Sequence, residues 1–540
     1  MEREDAGREG SVAVSSPPTA VDGPAAPMAV ASREGHSAGR SGVIGPVLSA
    51  WVGVTGWSLL GLQLLAMVGF STVEYSRFAL TEDFANYSQA WWAIGHGDFD
   101  PFVSGLGVPF WRDNAEFILY PLALLSRLDP HPITLLWVQD VAVVATELIT
   151  FRWILAVIER AGGRIPARAS LFLGLGAVVA LVANPWAYET IAFDFHFEPI
   201  AALFCVLVGY NLWAGRTRRL WLWVPLALIS HVLAGTYLVG IGLSGMLAGR
   251  RTRRPGAVIA AVGAAWTILF AAVGAAGVNG RNVNGAYGYL IGSHHGRIGL
   301  LDILGGSFAH LGSVLHVAAS HVPVAVLFLI AVGVVGVVSP WGFGMALVVL
   351  VPVVLDADGI FIRFGAAFQT WPALPFVLVG SVMVLLGLIE RGTRGRRTAR
   401  RLGAVWAASL GSLSVIVLAT FPHYWLTVDA PAAAVLARVD TIIPGNAEVI
   451  ASIGVMGRFA QRDSVYGFES GHERFPVDRR LVVFVLTSQG GPDDALPYHE
   501  GDEAVAFVED RLHGRLIGTG SGVRALVWSA PPGTTGVSLP

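Results

Sequence analysis

A chain of 540 residues that is 54% hydrophobic and 14% charged, with mean hydropathy +0.60, is not an ordinary soluble protein; such a composition indicates many membrane spans. All 36 basic residues are Arg and none is Lys, which, beside 65 Gly, reads as the coding bias of a GC-rich genome. A net charge of −2 with no basic stripe gives nucleic acid no footing, and a single cysteine, Cys205, in an apolar run excludes a disulfide framework and a Cys-type zinc site.

Residues 1–43 are rich in Gly, Ala, Ser, Pro and charge and lack periodicity, as expected of a disordered tail. The tail is too long and too acidic for the leading part of a signal peptide, so the apolar run 47–70 is expected to be an uncleaved first span. Four arginines precede it and none follows closely, which favours a cytoplasmic N-terminus.

Arginine-rich connections at 159–168, 216–219, 250–254 and 390–401 are assigned to the same cytoplasmic side. Between them lie apolar runs at 133–158, 169–187, 196–214, 220–249, 257–278, 316–338, 341–356, 372–389 and 403–421. Run 220–249 begins and ends beside arginines, so it must cross twice or turn back on itself, with Ser230-His231 as the natural break. Counted twice, it brings the expectation to about eleven spans. Run 117–128 would spoil the parity and is read as a shallow helix in the first external loop. The expected fold is an all-α polytopic membrane bundle over 44–422, followed by a small extracytoplasmic α/β domain over 423–540. That tail carries 14 acidic and 9 basic residues, with strand-like stretches Val449–Ile453, Leu481–Thr487 and Arg524–Ser529 and a helix-like Glu503–His513.

With this topology the external loops bring polar groups to the mouth of an almost charge-free bundle, the usual setting of a binding site. Loop 71–116 holds Glu82, Asp83, Asp98, Asp100, Arg112, Asp113 and Glu116. Its segment Thr81–Trp92 is Trp-rich and amphipathic and is expected to lie along the bilayer surface, where a carboxylate can meet a lipid-borne substrate. A solvated turn with an aromatic anchor would read the same way. The second loop, Asp194-Phe195-His196-Phe197-Glu198, alternates polar groups with Phe. Oxygen and imidazole donors so spaced could hold a divalent cation such as magnesium or manganese. A helix start, with Asp194 as N-cap and Glu198 in the first turn, explains the pattern equally well. Further loops carry Arg281, the pair His294-His295, and Asp356 to Arg363.

Two segments carry a resemblance. Asp83-Phe84-Ala85-Asn86-Tyr87-Ser88-Gln89-Ala90-Trp91-Trp92 with Gly95-His96-Gly97, and Phe193-Asp194-Phe195-His196-Phe197-Glu198, resemble motifs of the multi-spanning membrane family catalogued as domain of unknown function 2079. The likeness runs from about residue 70 to the end. Near Arg112-Asp113 the family usually shows Asp-His, where this chain has Asn114. That family in turn resembles GT-C glycosyltransferases, which move a sugar from a polyprenyl-phosphate carrier to an acceptor on the external face. The resemblance implies a GT-C-like fold in the cell envelope, Asp83 with Glu82 as catalytic carboxylates, and Asp194, His196 and Glu198 as metal ligands or orienting groups. Substrate-binding candidates are Gln89, Trp92, Asp113, His231, Arg281 and Arg363, the arginines neutralising the carrier phosphate. It leaves sugar and acceptor open.

Two other classes stand beside this one. Asp140 and Glu147 share a helix face in run 133–158, as a transporter or flippase would require, although Arg152 could pair with Glu147 and make it structural. A non-catalytic scaffold whose external domain binds a partner is the third.

Overall fold

The structure, a computed structural model, describes residues 41–113, 116–162, 164–274, 285–291, 300–357, 367–469, 473–490 and 498–540. It divides at Val47 into two units. The first, Met1–Val47, contributes only the opening turns of α1 to the described residues; the second, Leu48–Pro540, holds every other element.

Helices α1 (Ser41–Arg77), α2 (Glu82–Gly95), α3 (Phe110–Asp113), α4 (Leu119–Ala123), α5 (Ile133–Arg160), α6 (Ala167–Val182), α7 (Pro185–Ala192), α8 (Glu198–Ala214), α9 (Thr217–Ser230), α10 (Ala234–Ala248) and α11 (Arg250–Gly274) form the first part. After them come α12 (Leu300–Ala309), α13 (Leu311–Val332), α14 (Pro340–Leu355), α15 (Ala367–Thr370), α16 (Leu374–Glu390) and α17 (Thr393–Trp425). Among the described residues six helices are long and apolar enough to cross a membrane: Trp51–Arg77, Ile133–Arg160, Ala167–Ala192, Leu311–Val332, Ala367–Glu390 and Thr393–Trp425. Glu198–Ala214, Ala234–Ala248 and Pro340–Leu355 are apolar but shorter. The chain therefore breaks its apolar runs more often than an eleven-span count assumes. Run 220–249 does break at His231, into α9 and α10 of 14 and 15 residues. At 1.5 Å per residue neither reaches across a bilayer core of about 30 Å.

Exposed apolar side chains on α1, including Trp51, Val54, Leu62, Leu65 and Val73, fall on a helical stripe, the pattern of a face turned to lipid. Inward, close approach depends on small residues. A Cβ on Gly256 would lie 2.7 Å from the Gly242 carbonyl oxygen, and one on Gly263 would lie 2.4 Å from that of Gly235. Glycines seven residues apart on α10 thus meet glycines seven apart on α11, the small-residue contact that lets helices associate in lipid.

Beyond α17 the chain builds a mixed sheet flanked by α18 (Ala430–Ile442) and α19 (Tyr498–Asp510). Its strands are β3 (Glu448–Ser452), β4 (Val465–Phe468), β6 (Leu481–Thr487), β7 (Arg515–Gly520) and β8 (Val523–Ser529), in the order β4-β3-β6-β8-β7. A hairpin of β1 (Phe102–Val103) and β2 (Val108–Pro109) lies in the first loop, and a ribbon of β5 (Arg474–Pro476) and β9 (Gly536–Ser538) edges the domain. β3 is parallel to both neighbours and β6 antiparallel to β8. Both faces of β3 are buried, which suits the apolar run Val449-Ile450-Ala451 at its centre. Ser521 (φ 48°) and Gly522 (φ 78°) turn β7 into β8, the positive-φ pair of a tight hairpin. The expected strands at Leu481–Thr487 and Arg524–Ser529 are present, as is the helix near Glu503–His513. β4, β7 and α18 carried no comparably clear pattern.

Candidate functional site

Helix α2 begins on a carboxylate borrowed from a distant loop. Thr81, at its N-cap, makes no side-chain cap of its own. Asp194 replaces it: its Oδ2 accepts from the amides of Thr81 (2.9 Å) and Phe84 (3.2 Å), and from the Thr81 hydroxyl. An anion at a helix N-terminus meets the positive end of the backbone dipoles. Asp194 is buried and adopts φ 48°, a left-handed conformation that Asp tolerates better than most residues. Gln139 of α5 fixes this turn, its Nε2 donating to the Asp194 carbonyl at 2.8 Å and its Oε1 accepting from the His196 amide at 2.5 Å. Asp194 is thus the cap of α2; α8 begins at Glu198 behind Phe197.

This clamp places Asp83, in the first turn of α2, at a polar cluster. The Asp83 side chain is 49% exposed, and its Oδ2 lies 3.8 Å from Nε2 of buried His196. The His196 ring stacks on Phe368 with centroids 3.6 Å apart and planes 7° apart. Burial, with His231 nearby, pushes its pKa down to about 3 against a backbone hydrogen bond to Phe193, so the ring is neutral at physiological pH. Behind it, His231 Nδ1 accepts from the Leu233 amide at 3.2 Å, which puts the proton of the neutral ring on Nε2. That nitrogen faces Glu116 Oε1 at 3.4 Å and Glu198 Oε1 at 3.5 Å. His196, His231, Glu116 and Glu198 are all buried. Asp83 is the member of the cluster that reaches solvent.

The structure therefore brings Asp83, Asp194, His196, Glu198 and His231 together, from three separate segments of the chain. The α9–α10 break at His231 joins the first loop through the Ile118 amide, which donates to the Ile229 carbonyl at 2.8 Å. Among the described residues no three His, Cys, Asp or Glu side chains gather to hold a metal ion. Asp194 turns to α2, His196 to Asp83, and Glu198 to His231. Glu82 is half-buried beside the β1–β2 hairpin at Gly105. Half-buried Trp92 packs on His96, ring centroids 4.8 Å apart. Asp113 ends α3, and its side chain, Arg281, Arg363 and the pair His294-His295 lie outside the described residues.

Three expectations are corrected. Segment Thr81–Trp92 does not turn its apolar residues to lipid: Phe84 to Trp91 are buried, and the Gly457 amide of the C-terminal domain donates to the Leu80 carbonyl at 2.9 Å. Gln89 is a strut and not a binding group. Its Nε2 donates to the carbonyls of Arg462 (2.8 Å) and Asp463 (3.0 Å), and its Oε1 accepts from the Ser104 amide (2.9 Å) and hydroxyl (3.1 Å). Gln89→Leu keeps the bulk and removes all four bonds, so the C-terminal domain should loosen by about 1–3 kcal/mol. Limited proteolysis within 423–540 should speed up, and an unchanged rate would show the strut to be idle. Glu147 pairs with Gln63 (Nε2 to Oε1, 3.3 Å), while Arg152 is exposed. The Ser71 hydroxyl donates to Asp140 Oδ1 at 3.1 Å, and Glu74 is buried on the same helix.

Gln139, Thr81, Glu116 and Phe368 were not singled out as site residues by sequence. Glu116 and Thr81 left a trace only as members of the first external loop and of its segment Thr81–Trp92.

Two solved structures are similar to the chain, those of ArnT from Cupriavidus metallidurans bound to undecaprenyl phosphate and in the apo state. Their identities are 13% and 12% and their TM-scores 0.47 and 0.41, each alignment covering 88% of this chain and 98% of that one. No curated protein matches. A family profile described as predicted membrane protein, DUF2079, matches residues 78–489, and the chain belongs to that family.

Proposed function

We propose that the protein is a GT-C-like membrane glycosyltransferase that takes a sugar from a polyprenyl-phosphate carrier and transfers it to an acceptor on the outer face. The observation that carries this reading is Asp83: a half-exposed carboxylate at the start of a clamped helix, 3.8 Å from a buried neutral imidazole. In the reaction, Asp83 takes the proton of an acceptor hydroxyl as that oxygen attacks the anomeric carbon. The bond from that carbon to the phosphate oxygen breaks, the configuration inverts, and the polyprenyl phosphate leaves as an anion. Arg281 or Arg363 would neutralise that anion, as guanidinium groups do for phosphates. Glu82 is the reserve carboxylate on the same turn. The test is sugar incorporation in a deletion strain complemented with Asp83→Asn.

Orientation is part of the proposal, with the N-terminus cytoplasmic and the C-terminal domain outside. Single cysteines at exposed Asp98 and Glu509 should react with an impermeant maleimide on intact cells, and one at Arg253 only after permeabilisation. The opposite pattern would turn the site to the cytoplasm and end the outer-face reading.

A second reading, a transporter or flippase, is favoured by one observation: Glu74, Asp140 and Glu147 are all buried in apolar helices, where ionisable groups are costly and usually functional. The two readings predict opposite orders of sensitivity at Asp83 and Glu147.

A further inference from the structure

The segment between the first-loop hairpin and α5 has an apolar face that no other described residue covers. Leu119–Ala123 is helical and continues as a 3₁₀ turn through Leu124–Arg127. One face is buried, with Leu119 and Ala123 inward, and Ser126 packs where a Cβ on Gly95 of α2 would sit. The opposite face is apolar too: Pro121, Leu124 and Leu128 are exposed at helical spacing, Leu124 by 57% and Leu128 by 84%. Phe99, 71% exposed, joins this assembly through its carbonyl, which accepts from the Tyr120 hydroxyl at 3.1 Å. A helix apolar on both faces is not finished by burying one of them.

Its position says what meets the other face. Five residues beyond Leu128 the chain enters α5, a candidate span of 28 residues. Between the two, Pro130 touches the C-terminal domain, its carbonyl accepting from Gln461 Nε2 at 2.6 Å. The polar level is thus marked at Asp129 to His131, and the chain leaves it in both directions through apolar residues. Arg127, exposed beside Leu128, has a stem long enough to lie along apolar surface while its guanidinium stays wet. Exposed Asp98 and Asp100 flank Phe99, and Asp129 follows Leu128.

We propose that Leu119–Leu128, with Phe99, is seated in the membrane interface beside the site, and that its partner is the lipid surface itself. Glu116, three residues ahead of the segment, faces His231, so the lipid boundary runs along one flank of the polar cluster. This placement does not depend on which reaction the site performs. Sequence put two elements of the first external loop at the membrane surface, Thr81–Trp92 and the shallow helix 117–128; of these two, the described residues bury the first and leave an apolar face of the second open.

The test uses full-length protein reconstituted in phospholipid vesicles, with an environment-sensitive fluorophore on single cysteines at Leu124, Leu128 or Phe99; native Cys205 is buried, and the parent protein gives its background. Brominated phospholipids should quench all three labels to the level seen at Leu62→Cys, on the lipid stripe of α1, and at least about threefold more than at Glu509→Cys on the C-terminal domain, as expected for side chains within the interface. Quenching at the Glu509→Cys level would overturn the proposal. No other protein is present, so such a result would assign the face to a protein partner or to water. Leu128→Asp, labelled at Leu124→Cys, supplies a second measure: quenching should fall by half or more if the face is lipid-seated, and an unchanged signal counts against it.

Discussion

Asp83→Asn is expected to lower sugar transfer by about 100-fold or more, the usual scale for removing a general base, while protein abundance stays near that of the parent. The substitution keeps the shape of the side chain and most of its hydrogen bonding but removes its capacity to accept a proton. Position makes the expectation sharp: Asp83 is half-exposed, while His196, His231, Glu116 and Glu198 behind it are buried. The N-cap residue Thr81 and Phe84 in the first turn are held by Asp194, so Asn at 83 leaves the scaffold intact. Glu147→Gln should leave transfer largely unchanged, because Gln63 already meets that side chain within the bundle. A transporter reverses the order. Full rescue by Asp83→Asn with failure of Glu147→Gln, at equal expression, would remove the glycosyltransferase reading.

How much of the molecule was legible in its sequence depended on range. Apolar runs and arginine-rich turns are local, so the helices near 133–158, 372–389 and 403–421 and the break at Ser230-His231 could be read directly. β6 was legible for the same reason, since a fully buried strand is continuously apolar. The proximity of Asp83 and Asp194 was expected from the resemblance and the shared side of the membrane. Their relation was not. Nothing at position 194 indicates that its oxygens bind amides at 81 and 84, because a cap supplied from another loop has no spacing signature. Gln89 shows the opposite failure. A polar residue in a Trp-rich motif looks like a binding group, and only the fold reveals carbonyls of residues 462 and 463 beside it. The interfacial assignment failed because periodicity gives an apolar face without naming its partner: for α2 the partner is protein, and for Leu119–Leu128 the described residues leave the face open.

Asp194 yields the second large effect, and it separates a structural carboxylate from a reacting one. In Asp194→Ala the amides of Thr81 and Phe84 and the Thr81 hydroxyl lose their acceptor in buried surroundings. Hydrogen bonds to a charged group are worth about 1.5–3 kcal/mol each, and unmet buried donors cost a similar amount, so destabilisation of about 3 kcal/mol or more is expected. Losing the anion also removes its interaction with the N-terminus of α2, about 0.3–1 kcal/mol or somewhat more when buried. The detergent-solubilised protein should therefore melt well below the parent, and α2 should fray first, seen as faster hydrogen exchange at Thr81 to Ala85. Asp194→Asn is the informative partner. Asn tolerates the positive φ of this position and keeps one carbonyl oxygen for the Phe84 and Thr81 amides, so melting and transfer should both fall partway, in proportion. If Asp194 instead took part in the chemistry, Asn would abolish transfer as completely as Ala does while leaving the melting temperature at the parent value. That outcome would return Asp194 from the scaffold to the reaction.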